Sequence, residues 1–354
     1  MKKRAKIGPR GYRRHRVGTE PTDADGYTLE PLYPDSPYPM VLRPSVRGTS
    51  LTEWAAHHAE TIEELLWRHR SLLFRDFDLG GVEGFGTFVG ATSTGEPLPY
   101  RDRSTPRRAY GKNVYCTTIF PPEMRIRLHN EGSYWRAWAQ KAYFGCITAP
   151  PTGGETPIGD VHRVHERLPE RIRAPFRRHG VMYVRNYNDG LGLPWQEVFQ
   201  TEDEHEVEAY CRANDIAWEW KEGGRLRTRT IRPAIRTHPR TGEALWFNHA
   251  AFFHASALEP ATREAMVAAL GEDGLPYQTY LGNGGPIPDA DVSTILKAYD
   301  DEEIAFRWQE GDVHLIDNMR LAHARSPYAG ERLILVALTE PTTGGEELPV
   351  KRAG

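Results

Sequence analysis

The chain has 354 residues, of which 39% are hydrophobic and 10% aromatic, enough for a sizeable core. This composition excludes a disordered protein. The formal net charge of −3 argues against nucleic acid as the main partner, and no apolar run reaches the roughly 20 residues of a membrane span.

The N-terminal residues and the cysteines indicate where the protein is located. Residues 1–20 are basic but lack the apolar segment of a secretory signal, so we expect a flexible N-terminal arm. Cys116, Cys146 and Cys211 are widely spaced, with no C-x-x-C pair. This usage fits a reducing cytoplasm and excludes a cysteine zinc site, so we expect a cytoplasmic protein.

The first regular element is a helix. Residues 20–47 are rich in proline, aspartate and tyrosine and predict an irregular lead-in. A helix is predicted from about Ser50, because apolar residues then recur at intervals that form one face. A His-x-Glu pair, His58 and Glu60, lies inside it. Residues two apart on a helix point to different sides, so this pair is not a metal site.

Strand-like runs dominate the rest of the chain, and helical patterns lie at 195–214 and 260–270. Short strands separated by Gly and Pro turns favour a mainly β fold, a sandwich or jelly roll, over a doubly wound sheet. We expect one domain, residues 21–354, with an insertion at roughly 190–310. The predicted strands lie within 71–77, 113–120, 142–149, 180–187, 227–235, 244–248, 312–318 and 332–338.

A second His-x-Glu pair lies in a different context. Residues 124–128 alternate apolar side chains with arginines, which is the period of a strand. If the strand continues, His129 and Glu131 project from the same face, because side chains two apart do so. An imidazole and a carboxylate are metal-ligand types, but two ligands are too few to hold an ion. A third must come from elsewhere in the chain.

The strongest candidate for the third ligand is His323, which follows one predicted strand and precedes another. Two histidines and a carboxylate are the ligands of many non-heme Fe(II) oxygenases, although a zinc hydrolase uses the same ligand types. Arg332 favours the oxygenase. A guanidinium close to a metal-binding histidine suits bidentate capture of a co-substrate carboxylate.

Several separated motifs occur in a characteristic order. Together they resemble the taurine-dioxygenase-like family of Fe(II)/2-oxoglutarate oxygenases over roughly residues 40–340. Within that family they are most similar to the branch of the syringomycin-pathway hydroxylase, which acts in nonribosomal peptide biosynthesis. The motifs are LLFRDF at 72–77, HNE at 129–131, GGETPIGD at 153–160, GVMYVRNY at 180–187, WFNHAAFFH at 246–254 and DN followed by HARSPYAGER at 317–332.

The resemblance implies a double-stranded β-helix, or jelly roll, with flanking helices and an insertion that forms a lid. It implies iron bound by His129, Glu131 and His323, with no other catalytic side chain. It also implies that Arg332 and Thr156 hold the 5-carboxylate of 2-oxoglutarate, whose other end chelates the iron. The expected cofactors are therefore Fe(II), 2-oxoglutarate and O2.

Five residues are candidates for substrate contact. Ser133 and Tyr134 follow the ligand pair closely, His249 and His254 lie among aromatic residues, and Arg325 lies two residues after His323. Four of them also have a structural alternative: Tyr134 as a core residue, the two histidines as residues packed beside aromatic rings, and Arg325 in a surface salt bridge. The residues alone leave both interpretations open.

The resemblance implies hydroxylation of an unactivated C–H bond of a small amino-acid-like substrate, free or bound as an aminoacyl group to a peptidyl carrier protein. Desaturation or ring closure, oxidation of another free metabolite, and a non-catalytic metal-binding jelly roll are the alternatives. Hydroxylation is predicted over halogenation, because related halogenases have Gly or Ala at the position of Glu131. We expect neither nucleic acid nor a membrane as a partner.

Overall fold

The computed structural model describes residues 26–94, 98, 102, 108–111, 114–117, 120–187 and 192–343. The predicted basic arm at 1–20 lies outside them. Within the described residues the helices are α1 (Leu51–His69), α2 (Gly81–Thr92), α3 (Val161–Arg167), α4 (Glu170–His179), α5 (Trp195–Phe199), α6 (Glu204–Ala213), α7 (Pro260–Leu270) and α8 (Asp289–Asp300). The strands are β1 (Tyr27–Pro31), β2 (Met40–Pro44), β3 (Ser71–Phe74), β4 (Ala109–Gly111), β5 (Val114–Cys116), β6 (Ile126–His129), β7 (Trp138–Thr148), β8 (Thr152–Gly153), β9 (Ile158–Asp160), β10 (Val181–Tyr187), β11 (Ala217–Lys221), β12 (Arg225–Arg232), β13 (Arg236–Thr237), β14 (Ala244–Leu245), β15 (Tyr277–Leu281), β16 (Val313–Asp317), β17 (Leu321–Arg325), β18 (Tyr328–Ala329) and β19 (Leu333–Thr342).

Every predicted strand run contains an observed strand, although those within 113–120 and 244–248 are short. The first predicted helix begins where expected, because the Ser50 side chain accepts a hydrogen bond from the main-chain nitrogen of Glu53. The predicted helix at 195–214 is two helices, α5 and α6. Gln200 ends the first in a left-handed conformation and Asp203 caps the second.

The largest sheet has eight strands in the order β1-β2-β3-β16-β7-β19-β5-β4. Its neighbours are antiparallel except for the parallel pair β2 and β3. The central strand β16 is buried throughout. Alternate residues of the sheet divide between two cores. Tyr143 and Leu315 pack with helices α1 and α2, whereas Phe144 and Ile316 contribute to the core on the opposite face.

A three-stranded sheet, in the order β6-β17-β9, covers this second face of the large sheet. Leu128, Ile158 and Leu321 of the small sheet belong to the same hydrophobic core as Phe144 of the large one. The rings of Phe144 and His323 are 4.9 Å apart. The predicted metal ligands therefore lie between two packed sheets.

A third sheet, β11-β12-β10-β15, is built largely from the predicted insertion. Helices α5 and α6 pack beside it around a separate cluster that includes Trp195 and Val207. Helix α7 lies within the predicted range 260–270, and helix α8 is not predicted from the sequence. Among the residues that the structure describes, no helix has the length and apolar character needed to span a membrane.

Candidate active site

The two candidate histidines lie opposite each other on neighbouring strands. Strands β6 and β17 pair antiparallel with His129 directly across from His323, and the two rings are 4.5 Å apart between centroids. Side chains of directly paired residues share one face of a sheet. The pairing therefore brings together two residues that are far apart in the sequence.

Glu131 is positioned by a turn and not by a strand, because β6 ends at His129. Asn318 holds this turn: its Oδ1 accepts from the Glu131 main-chain nitrogen at 2.9 Å, and its Nδ2 donates to the Glu131 carbonyl at 3.0 Å. Gly132 follows with a φ of +69°, where a Cβ atom would meet the ring of Trp135 at 2.2 Å. The predicted same-face strand geometry is thus replaced by a turn that Asn318 clamps.

One ligand atom from each of His129, Glu131 and His323 lies within 4.8 Å of the other two. Glu131 Oε2 is 3.8 Å from His323 Nε2. His129 Nδ1 lies 2.9 Å from the carbonyl oxygen of Arg127, so it serves as a donor there and leaves Nε2 as the ligand atom. Two imidazoles and one carboxylate form a donor set that fits Fe(II) with coordination positions left open.

A small pocket extends from the two histidines to Arg332, and we call it the anion pocket. Arg332 Nε donates to the Gly154 carbonyl at 2.9 Å, and its Nη1 donates to Thr117 Oγ1 at 2.8 Å. Its Nη2 lies 3.4 Å from Thr156 Oγ1, which also accepts from Trp308 Nε1 at 3.2 Å. The pocket is lined by Thr117, Ile126, His129, Phe144, Thr156, His323, Ala324, Arg325 and Arg332.

Arg325 and Arg332 give the anion pocket positive charge. Within the described ranges, no carboxylate lies within 4 Å of the guanidinium of Arg325 or Arg332. Burial, with the like charge of Arg325 as the second cause, lowers the pKa of Arg332 to about 10, so it remains protonated at neutral pH. Buried cations are costly unless an anion joins them. The pocket therefore fits a ligand carboxylate, as 2-oxoglutarate would supply.

Arg325 links the anion pocket to the neighbouring loop. It is 4% exposed and donates to the carbonyls of Phe120 at 3.0 Å, Pro121 at 2.6 Å and Met124 at 2.7 Å. Its Nε is buried with no hydrogen-bond partner in the described part of the chain. The alternative of a surface salt bridge is therefore wrong, because Arg325 is buried and binds main-chain carbonyls.

A larger cavity of about 830 Å³ also borders His129 and Glu131, and we call it the large cavity. Its walls are mainly apolar and aromatic, and most of them come from the predicted insertion. Arg125, at its rim, pairs with Asp300 and Glu303. The lining residues are Phe120, Met124, Arg125, Ile126, Arg127, His129, Glu131, Gly192, Leu193, His249, Phe252, Phe253, His254, Ala255, Ala257, Leu258, Glu259, Met266, Leu275, Pro276 and Tyr277.

The five candidates for substrate contact separate into three groups. His249 and His254 line the large cavity, and Arg325 lines the anion pocket. Ser133 and Tyr134 are not among the described residues that line either space. They lie behind His249, with Ser133 Oγ 2.5 Å from His249 Nδ1 and the Tyr134 ring 5.0 Å from the His249 ring. The expectation that they line the cavity is corrected, because His249 stands between them and it.

His249 is neutral in this setting. Burial, and then the neighbouring His129, lower its pKa well below the usual value for a histidine. The residue is 2% exposed, and its main-chain nitrogen donates to Tyr183 Oη at 2.9 Å. A neutral, fixed imidazole therefore borders the large cavity beside the candidate metal ligands.

A two-histidine, one-carboxylate site that joins a cationic pocket to an apolar cavity defines a non-heme iron oxygenase with an anionic co-substrate. Comparison with known proteins gives the same class. The model of the family described as "Taurine catabolism dioxygenase TauD, TfdA family" matches residues 32–339. The chain belongs to this family.

Two relatives align along most of their length. The dapdiamide synthesis protein DdaC of Enterobacter agglomerans is 39% identical over 324 residues, which cover 91% of this chain and 98% of the relative. A clavaminate synthase-like protein of Arabidopsis thaliana is 30% identical over 327 residues, covering 86% and 94%. The crystal structure of PvcB from Pseudomonas aeruginosa has the same fold, with a TM-score of 0.54, 15% identity and coverage of 90% and 92%.

Family membership makes the protein an enzyme, an Fe(II)/2-oxoglutarate-dependent dioxygenase that uses O2. The fold expectation is confirmed at the level of the family, since mixed sheets with flanking helices match solved dioxygenases of this type. From the sequence, the Asp317–Asn318 pair is expected to shape the turn before His323, and its contact with Glu131 is not foreseen. Thr117, which binds Arg332, has no signal in the sequence.

Proposed function

We propose that this dioxygenase hydroxylates an unactivated C–H bond of an amino acid or aminoacyl substrate in specialised peptide metabolism. The bound iron, 2-oxoglutarate and O2 would supply the oxidising chemistry. The residues of the chain would hold and orient the reactants: His129, Glu131 and His323 the iron, and Arg332 with Thr156 the far carboxylate of 2-oxoglutarate.

The observation that carries this proposal is that His129 borders both the anion pocket and the large cavity. A molecule in the large cavity would therefore adjoin the metal from one side while the co-substrate approaches it from the other. Holding two reactants next to one metal is the positioning that such a reaction needs. His249 and His254 would offer polar contacts within the otherwise apolar walls.

The volume of the large cavity favours a substrate larger than a free amino acid. About 830 Å³ lies toward the upper end of the roughly 300–1,000 Å³ found for drug-sized ligands. An aminoacyl thioester with part of its carrier arm, or an amino-acid amide, would fill more of this space. The resemblance to DdaC, which is named for dapdiamide synthesis, supports a biosynthetic role. The finer assignment to the syringomycin-pathway branch stays a prediction.

The proposal extends to the architecture. The eight-stranded and three-stranded sheets would form the double-stranded β-helix of one domain, residues 21–354, and the segment 190–310 would act as its lid. This is supported by the many cavity residues between Gly192 and Tyr277. The three cysteines are free, which agrees with the predicted reducing cytoplasm.

A mass-spectrometric screen tests the function directly. Free amino acids and aminoacyl carrier proteins are each incubated with the enzyme, Fe(II), 2-oxoglutarate and ascorbate. We expect a gain of one oxygen atom on an aminoacyl compound, whereas loss of two hydrogens would identify desaturation or ring closure. Oxygen gained only on sulfonates or fatty acids would refute the proposal.

A second measurement tests the assigned iron and 2-oxoglutarate sites before any substrate is known. Under anaerobic conditions, Fe(II) with 2-oxoglutarate should give a weak visible charge-transfer band. The band requires that the co-substrate chelates the iron, so the same mixture with the His323→Ala variant is the control and should remain colourless.

A further inference from the structure

Ser133 and His249 form a buried pair beside the large cavity. Ser133 Oγ lies 2.5 Å from His249 Nδ1, and the two residues are 0% and 2% exposed. The His249 main-chain nitrogen is bound by Tyr183 Oη at 2.9 Å. The imidazole also packs between the rings of Tyr134 and Phe252, at 5.0 and 5.2 Å. The orientation of the imidazole is therefore fixed from several sides.

The hydrogen bond of Ser133 determines which nitrogen of His249 carries the proton. Among the described residues, His249 Nδ1 is the only hydrogen-bond partner of Ser133 Oγ. If Nδ1 were protonated, the buried hydroxyl would have no acceptor for its own proton, which is unfavourable. The hydroxyl therefore donates to Nδ1, and Nε2 is the ring nitrogen of His249 that carries a proton.

The second ring nitrogen is available to a ligand. His249 lines the large cavity together with His129 and Glu131, and the rings of the two histidines are 5.5 Å apart. Because Nδ1 is bonded to Ser133, Nε2 is the ring nitrogen that remains for a ligand in the cavity that His249 lines. No described residue binds Nε2. An N–H donor with no partner in the described part of the chain thus lies beside the candidate metal site.

We propose that Ser133 and His249 together select a substrate with an acyl oxygen and hold that oxygen beside the iron. The acceptor would be the carbonyl oxygen of a thioester or amide, or a carboxylate oxygen. His249 would bind it, and Ser133 would act as a positioning residue that fixes the imidazole tautomer. This inference rests on the proposed function and narrows it: oxidation should occur close to the acyl carbon and not at the distant end of the substrate.

The tautomer can be measured without any substrate, so this test does not depend on the proposed function. In enzyme loaded with diamagnetic Zn(II) and labelled with 15N-histidine, we expect His249 to show a protonated Nε2 and an unprotonated Nδ1. The His249→Phe variant assigns its signals. In Ser133→Ala the constraint is gone, and the signals should shift toward a mixture of tautomers. A protonated Nδ1 in the wild-type enzyme would overturn the inference.

The chain offers a matched control for the loss of a serine–histidine hydrogen bond. Ser71 Oγ lies 2.6 Å from His314 Nε2, and both residues are fully buried. Neither lines the anion pocket or the large cavity. Ser71→Ala therefore removes an equivalent buried bond elsewhere in the core, and should leave both the His249 signals and the substrate affinity unchanged.

Kinetics then test the selection itself, with an acyl substrate from the screen and its analogue in which a methylene replaces the carbonyl. Ser133→Ala and His249→Phe should raise KM for the acyl substrate about tenfold and increase the succinate formed without product. His249→Gln, which retains an N–H donor, should recover part of the affinity. For the methylene analogue, the KM values of the variants should match that of the wild type.

Equal KM values for the acyl substrate in all variants, or oxidation only of compounds that lack an acyl group, would overturn the proposal.

Discussion

The anion pocket and the large cavity share His129 but are built in different ways. The anion pocket is formed by residues on or next to the strands of the two packed sheets, such as Thr156, His323 and Arg332. The large cavity takes most of its walls from loops and from the segment between Gly192 and Tyr277. One space is cationic and fixed by the sheets; the other is apolar and formed by the insertion. Substrate choice can therefore change through the insertion while the chemistry stays constant.

Removing a metal ligand should abolish the function of both spaces, and this is the largest expected effect. In His323→Ala, one of three ligands is lost, so we expect most metal affinity and all turnover to disappear. Metal content by mass spectrometry of the purified protein measures the first, and succinate formation the second. His57→Ala, an exposed histidine on helix α1, is the control. Normal iron content in His323→Ala would refute the assignment.

Glu131 should decide the type of product. While the carboxylate occupies its coordination position, a chloride ion has no place there, so the wild-type enzyme should insert oxygen even in chloride buffer. A chlorinated product from the wild type would be incompatible with Glu131 as a ligand. Glu131→Ala should lose hydroxylation almost completely, because it loses one of the three ligands.

Loss of Arg332 should weaken 2-oxoglutarate binding in the anion pocket and leave the metal site intact. Arg332→Ala removes a buried guanidinium and leaves a ligand carboxylate unpaired, which costs about 2–5 kcal/mol, or roughly a thirtyfold to several-thousandfold rise in the 2-oxoglutarate requirement. Titration of the charge-transfer band with 2-oxoglutarate measures this, while metal content should stay normal. Arg332→Lys keeps the charge but loses the planar guanidinium, so its 2-oxoglutarate requirement should lie between those of the wild type and Arg332→Ala. If the requirement does not change, Arg325 is the next cation to test.

Arg325→Lys should affect the large cavity more than the anion pocket. A lysine keeps the charge but cannot reproduce the guanidinium fork that binds three carbonyls of the loop at Phe120, Pro121 and Met124. Phe120 and Met124 line the large cavity. We therefore expect KM for the substrate to rise about tenfold with a smaller change for 2-oxoglutarate. The reverse pattern would show that Arg325 serves the co-substrate first.

The remaining expected effect is on thermal stability. Arg332 is a buried guanidinium with no carboxylate partner in the described part of the chain, so binding of 2-oxoglutarate should make the protein more stable. At a hundredfold excess over Kd, a ligand adds about 2.7 kcal/mol. In thermal unfolding of the Zn(II)-loaded enzyme, 2-oxoglutarate should raise Tm by several degrees, and Arg332→Ala should abolish the rise. An equal shift with a monocarboxylate of similar size would argue against binding of one carboxylate by Arg332 and of the other by the metal.

The metal ligands could be predicted from the sequence, but their geometry could not. His129, Glu131 and His323 are recognisable because their side-chain chemistry is specific to a metal and their motifs are short. The reasoning that placed Glu131 on a strand was nevertheless wrong in detail, because the turn depends on Asn318, which is distant in sequence. Ligand identity is a local property of the sequence, whereas ligand geometry is set by contacts that the sequence does not display.

The large cavity was not predictable for a similar reason. Its walls come from separate stretches near Phe120, Leu193 and Phe252, and no one of them has a periodicity that signals a cavity. Helix α8, by contrast, could have been predicted. Val292 and Ile295 have helical spacing after the helix-starting Pro288, and both are buried.

Strands β6 and β17 are direct neighbours, yet the whole predicted insertion, 190–310, lies between them in the chain. A metal ion held by His129 and Glu131 on one side and His323 on the other would act as a cross-link that closes a very long loop. Closing long loops removes the most entropy from the unfolded chain. Loading the metal should therefore stabilise the walls of the large cavity, although the segment between Gly192 and Tyr277 contributes no ligand to it.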